Sequence, residues 1–198
     1  TTKPLLYKTP EQGAKVTEEK VGAFLDQGKL VCLLGGEHSV SAGAIAAAAK
    51  RFKNMSVLQL DSHSDMREEY NGSRYNHACV MARAKDLCPV VQVGIRSMDS
   101  CEKPNIKKDC VFFAEKIRTQ KRWIQQVVAQ LTDTVYITID LDVFDPSVLP
   151  STGTPEPGGL GWYEVLDLLR EVIRQKKMVA FDVVELAPNK LEKSSDFL

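Results

Sequence analysis

Short apolar runs alternate along the chain with longer segments in which apolar residues recur at helical spacing. Residues 1–12 carry no periodicity. From Thr17 the pattern turns helical: Glu18 and Glu19 fall in a first turn, Val21, Phe24 and Leu25 share a face, and Gly28 supplies a stop. Apolar runs at 30–34, 57–60, 89–93, 111–114, 136–142 and 178–184 predict strands; helical stretches at 39–51, 78–85, 119–131 and 162–175 lie between them. The 39–51 stretch is rich in alanine and free of proline, which predicts a buried helix packed closely on a sheet. The proline- and glycine-rich stretch 150–159 predicts a loop. Strands alternating with helices predict an α/β protein, three-layered α/β/α, with a mainly parallel central sheet and helices on both faces.

Composition narrows the function classes. At 198 residues and 43% hydrophobic, the chain is long enough for one well-packed domain and short for two. Lys plus Arg and Asp plus Glu both number 26 and are scattered, so there is no basic footprint for nucleic acid and no polybasic membrane patch. Small molecules are left as the default partner. Five cysteines, at 32, 79, 88, 101 and 110, show no CxxC spacing and read as reduced thiols, with Cys101 and Cys110 the pair that could meet across a surface loop. The chain opens on no signal peptide and contains no run of membrane-spanning length, so it reads as soluble and cytoplasmic.

The chemistry concentrates where apolar runs end. Val57 to Leu60 leads into Asp61-Ser62-His63-Ser64-Asp65; if extended geometry persists, Asp61, His63 and Asp65 share a side and Ser62 and Ser64 point away. Two carboxylates and an imidazole suit a divalent first-row ion, although the stretch alone reads equally as a polar turn. A second run ends in Asp140 and Asp142, which share a side by the same argument, and a third ends in Gly35-Gly36-Glu37-His38-Ser39. Ligand-type side chains thus collect at the C-terminal ends of strands, the edge where parallel sheets place their sites. Six candidates, His38, Asp61, His63, Asp65, Asp140 and Asp142, exceed the needs of one ion and suggest a two-metal site. Gly35-Gly36 fits neither nucleotide-loop spacing, and Glu37 beside it would repel phosphate; the glycines read as a tight bend that aims His38.

Other residues keep two readings. His77, at the end of the polar stretch 66–77, is either a capping or surface histidine or an acid/base group. Arg96 pairs with a structural acid or binds a substrate carboxylate; Trp123 serves packing or an interface; Thr154 and Glu156 lie near the metals or serve only the turn. Glu185 falls at the end of the last strand, on the same edge as the ligands.

The motifs 35–39, 61–65, 140–146, Gly-Thr-Pro-Glu-Pro-Gly-Gly at 153–159 and Asp-Val-Val-Glu at 182–185 resemble, in order, those of the ureohydrolase family of arginases and agmatinases. The resemblance implies an arginase-like fold and two Mn2+ ions, one held by His38, Asp61, Asp65 and Asp140, the other by Asp61, His63, Asp140 and Asp142, with Asp61 and Asp140 bridging. It further implies that Asp65 orients the attacking water, that Glu185 binds a guanidinium, and that His77 relays protons. Ser62 stands where many relatives have alanine and is expected to face away with little effect. His77-Ala78 and Glu69-Tyr70-Asn71-Gly72 resemble short microbial agmatinases, which tilts the substrate toward agmatine, cleaved to putrescine and urea in polyamine biosynthesis. Glu68 or Glu69 would then hold the far amine. Family members form trimers or hexamers, which implies a homo-oligomer. Set against the family, the chain lacks part of the N-terminal segment and the C-terminal end. Rival readings are an arginase, a guanidinobutyrase or formimidoylglutamase, a catalytically silent relative, and a single-zinc deacetylase on a related fold.

Overall fold

A computed structural model describes residues 1–188. Six strands form one sheet, all neighbours parallel, in the order β1-β6-β5-β2-β3-β4. The strands are β1 Val31–Leu34, β2 Met55–Leu60, β3 Val90–Ile95, β4 Val111–Phe113, β5 Thr134–Asp140 and β6 Lys177–Val184. The helices are α1 Pro10–Leu25, α2 Val40–Arg51, α3 Val80–Lys85, α4 Ala114–Ile117, α5 Trp123–Gln130 and α6 Trp162–Gln175.

The alternation of side chains along each strand divides the core in two. Val57, Tyr136 and Ala180 point to one face and pack under α1, α2 and α3 through Val21, Ile45 and Met81. Leu58, Leu60, Val135 and Ile137 point to the other face and pack under α5 and α6 through Val127, Val128, Leu168 and Val172. The α/β/α layering expected from the sequence is therefore present. No helix among the described residues is long and apolar enough to cross a membrane. The five cysteines, all within those residues, are free thiols.

Two helices differ from expectation. α1 begins at Pro10, not near Thr17: the Thr9 side chain accepts from the Gln12 amide at 3.3 Å, and proline suits the first helical turn. Its buried face over the early turns is Gly13, Ala14 and Thr17, small residues that leave no apolar period to read. The stretch 119–131 is helical only over α5, because Arg122 sits at a left-handed φ of 61° and separates it from the turn that follows α4.

The small residues of α1 and α2 let their backbones approach. A Cβ placed on Gly43 of α2 would lie 2.0 Å from the Ala14 carbonyl oxygen. Helix propensity favours alanine over glycine by about 1 kcal/mol. Forcing two backbones apart in a packed core costs about 1–3 kcal/mol and wins. Gly43→Ala is expected to lower the urea-denaturation midpoint with little change in its slope.

Candidate metal centre

Because the strands are parallel, their C-terminal ends open on one edge. Leu60 pairs with Ile139 and Asp140 with Val184, so Asp61 and Asp140 emerge side by side, and Glu185 follows Val184 one residue further along the same edge. There His38 Nδ1 lies 3.0 Å from Asp65, 3.2 Å from Asp61 and 3.3 Å from Asp140, each through Oδ2. His63 Nδ1 lies 2.9 Å from Asp142 Oδ2 and 3.6 Å from Asp61 Oδ1. Two ligand groups result, His38/Asp61/Asp65 and Asp61/His63/Asp142, with Asp61 common to both. Asp140 adjoins the first through Oδ2, while its Oδ1 accepts from the Asp142 amide at 2.9 Å. All four aspartates and His38 are buried.

The convergence does not come from strand alternation, since β2 ends at Leu60. Local turns produce it: the His63 amide donates to Asp61 Oδ1 at 2.6 Å, and Asp65 takes a left-handed φ of 53°. Ser62 accordingly departs from expectation. Its Oγ is 2.9 Å from His63 Nδ1, and its amide donates to Asp142 Oδ1 at 2.9 Å.

One atom tests whether these residues fit a metal. His38 Nδ1 is buried and has no hydrogen-bond partner among the described residues. Its Nε2 is 2.9 Å from Thr138 Oγ1, whose proton goes to Asp182 Oδ1 at 2.6 Å, while the Tyr136 hydroxyl donates to Asp182 Oδ2 at 2.6 Å. Thr138 must then accept from Nε2–H, leaving the Nδ1 lone pair facing three carboxylate oxygens. That arrangement is repulsive unless positive charge lies between them. Burial opposes a proton on His38, but Asp140, Asp61 and Asp65 outweigh it and raise its pKa well above the usual range. Imidazole nitrogen with carboxylate oxygen is equally a donor set for a divalent first-row metal in the proton's place. The charge balance agrees. Burial, then the neighbouring Asp61, pushes Asp65 up to about 7. Burial opposes the charged form of His63, but Asp142 and Asp61 outweigh it and push it up to about 11.

The sequence assigned no role to the residues that brace these ligands. Thr138 and Asp182 are register partners across β5 and β6. Gln59 Nε2 donates to Asp61 Oδ2 at 2.7 Å, and Gln92 Nε2 holds Gln59 Oε1 at 2.6 Å. Buried Glu102 accepts from Ser64 Oγ at 2.6 Å and from the Met66 amide at 2.9 Å. The available signal was a polar residue inside an apolar run: Gln59, Thr138 and Asp182 each interrupt one.

A cavity of about 170 Å³ opens over the cluster, and Arg67, Tyr70, His77, Asp99, Thr154 and Glu185 help to line it. Glu185 Oε1 accepts from the His38 amide at 2.6 Å, and burial raises the carboxyl's pKa. His77 lies at the lip, half exposed, with Nδ1 2.9 Å from Glu37 Oε1; Asn76, not His77, caps the turn 77–79. Glu68 and Glu69 are exposed and are not among the described residues lining the cavity. Glu68, given a far amine to hold in the sequence reading, is drawn to Arg83 at 2.6 Å and Lys85 at 3.3 Å on α3. Arg96 takes neither expected role. It donates to main-chain carbonyls, Glu156 at 2.7 Å and Asp142 at 2.8 Å among them, and so ties 150–159 to the end of β5.

The same loop hangs on Asp145, which accepts from the Gly158 and Gly159 amides at 2.9 and 3.1 Å and from Ser147 Oγ at 2.6 Å. These bonds, Ser147 foremost, hold its pKa down to about 2. A depressed carboxyl pKa contributes stability that is complete above the unfolded value of about 3.9 and is lost as pH falls through the folded one. Asp145→Asn is expected to cost about 1–2 kcal/mol at neutral pH, as charge-assisted bonds do. The difference from the parent should vanish in acid, as followed by thermal melts from pH 7 to pH 2.

Residues 4–196 match the Arginase family. Over 191 residues the chain is 39% identical to the N(1)-aminopropylagmatine ureohydrolase of Synechocystis sp., covering 93% of this chain and 62% of that one. The agmatinase of Pyrococcus horikoshii is 36% identical over 177 residues, which is 84% of this chain and 58% of the relative. The crystal structure of agmatine ureohydrolase of Thermoplasma volcanium superposes with a TM-score of 0.82 at 32% identity, over 96% of this chain and 66% of that one. The chain thus spans less than two thirds of the length of these two curated relatives. The matched segment contains every ligand-type residue of the cluster and the whole sheet that gathers them, and the chain belongs to the arginase family of ureohydrolases.

Proposed function

We propose that this chain carries the centre of a manganese-dependent amidinohydrolase acting on a guanidino-terminated amine, with agmatine cleaved to putrescine and urea. The observation that carries the reading is the shared carboxylate: Asp61 turns one oxygen to each of two imidazole-carboxylate groups at the floor of a cavity. When bound, a pair of divalent ions supplies Lewis-acid activation of water at neutral pH, which an unreactive guanidinium carbon requires. His38, Asp61, Asp65 and Asp140 would hold one ion and Asp61, His63, Asp140 and Asp142 the other. An oxygen-rich set of this kind suits Mn2+, and four carboxylates offset four positive charges.

The remaining residues bind and orient. Burial leaves Glu185 short of a counter-charge, and a guanidinium entering the cavity supplies one. Asp65 keeps the attacking water in line by accepting a hydrogen bond from it. His77, at the lip, passes a proton to the departing amine as the carbon–nitrogen bond breaks and water oxygen replaces nitrogen to give urea.

N(1)-aminopropylagmatine is the second reading, favoured by the name of the Synechocystis relative. It presents the same guanidinium and differs only in the tail that leaves the cavity. The test is urea release by the manganese-loaded protein with agmatine, N(1)-aminopropylagmatine and arginine side by side, together with metal content. Two ions per chain and urea from agmatine are expected. Urea from arginine alone would overturn the substrate, and a single zinc ion would overturn the centre.

A further inference from the structure

His77 enters the reaction as a proton carrier, and a carrier works only if the correct ring nitrogen faces the substrate. Its Nδ1 is 2.9 Å from Glu37 Oε1, and the same oxygen accepts the His77 main-chain amide at 3.0 Å. The other oxygen of Glu37 accepts from the Ser39 hydroxyl, so both are committed. On its other side the ring meets Tyr70 edge-on, centroids 6.1 Å apart, and Tyr70 is itself covered by the Arg67 guanidinium at 4.8 Å. Glu37 precedes His38 directly, so the bend that delivers a metal ligand also sets the acceptor for the lip histidine.

We propose that Glu37 is a positioning residue: by accepting from Nδ1 it fixes the neutral His77 ring with its proton on Nδ1 and its Nε2 lone pair toward the cavity. The proposal rests on the ureohydrolase reading for its catalytic consequence, but the tautomer itself does not. A partly exposed ion pair contributes little to stability, with side chains here 48% and 42% exposed. Its value lies in orientation, since a neutral imidazole offers one donor and one acceptor and the bond made by one nitrogen decides the role of the other.

The test pairs Glu37→Ala with Glu37→Gln. Glutamine keeps an oxygen able to accept from Nδ1–H and loses only the charge; alanine loses both. With three histidines in the chain, long-range 1H–15N spectra can assign His77, using protein loaded with zinc in place of paramagnetic manganese, at alkaline pH where the ring is neutral. The Nδ1–H form is expected in the parent and in Glu37→Gln, and a shift toward Nε2–H in Glu37→Ala. With manganese, Glu37→Ala is expected to lose about 10- to 100-fold in kcat with KM within about twofold, a part of what acid–base catalysis supplies. Glu37→Gln should stay within about threefold of the parent. Nε2–H in the parent, or an unchanged tautomer in Glu37→Ala, overturns the proposal. Equal losses of kcat in both variants also overturn it, by making charge the operative property. Failure of the parent to release urea from any guanidino compound would sink the ureohydrolase reading and leave the spectra to decide the tautomer.

Discussion

Asp61→Asn is expected to reduce bound manganese to less than one ion per chain and urea release by at least about 10⁴-fold, the scale set by losing metal activation of water. Both oxygens of Asp61 are acceptors already in use, Oδ2 from Gln59 Nε2 at 2.7 Å and Oδ1 from the His63 amide at 2.6 Å. An asparagine amide has one oxygen, so in either orientation its NH2 meets one of these donors and also faces an imidazole that needs a ligand partner. The variant therefore loses a charge from both ligand groups at once. Folding should survive with reduced stability, because Asp61 is paired with His38 and His63 but its charge also crowds Asp65 and Asp140, so part of the lost pairing is offset. Metal analysis after gel filtration and a cooperative thermal melt separate the two effects. Two ions retained with near-parental turnover would remove Asp61 from the centre.

That residue was legible in the sequence for a reason that others were not. Parallel strands end on a common edge, so ligand-type residues at the ends of 57–60 and 136–142 had to meet, whatever the loops did. The rule stopped working two residues past β2: Ser62, expected to face away, has its hydroxyl against His63, because the chain there turns instead of alternating. Glu68 was illegible for a different reason. Its partners Arg83 and Lys85 lie on the next helix, and no local pattern tells a rim acid that faces a substrate from one that faces a neighbouring cation. Thr138 and Asp182 were visible only as interruptions of apolar runs, since their meeting depends on β6 lying beside β5. α1 shows the limit of hydrophobic period: a helix seated on another where Gly43 meets the Ala14 carbonyl packs by closeness of backbones, with few large apolar side chains to mark it.

Glu185→Gln separates substrate recognition from metal assembly. Glu185 follows β6 at a left-handed φ of 65°, its amide donates to the Gly36 carbonyl at 2.7 Å, and its Oε1 accepts from the His38 amide at 2.6 Å. The side chain therefore ties the His38 bend to the sheet while it lines the cavity. Glutamine can keep the bond to the His38 amide through its own oxygen, so metal content should remain at the parental level. What it loses is the negative charge that, in the proposed function, answers a guanidinium. Removing one member of a buried charged pair costs about 2–5 kcal/mol, so kcat/KM for agmatine is expected to fall by about 30- to 5,000-fold. Glu185→Ala, by contrast, also releases the His38 bend and should lose metal as well as turnover. If Glu185→Gln kept its metal and its kcat/KM, the carboxylate would be a tether alone, and the guanidinium would have to find its counter-charge elsewhere on the cavity wall. If it lost both metal and turnover, as the alanine variant does, recognition and assembly would be one function of the same side chain.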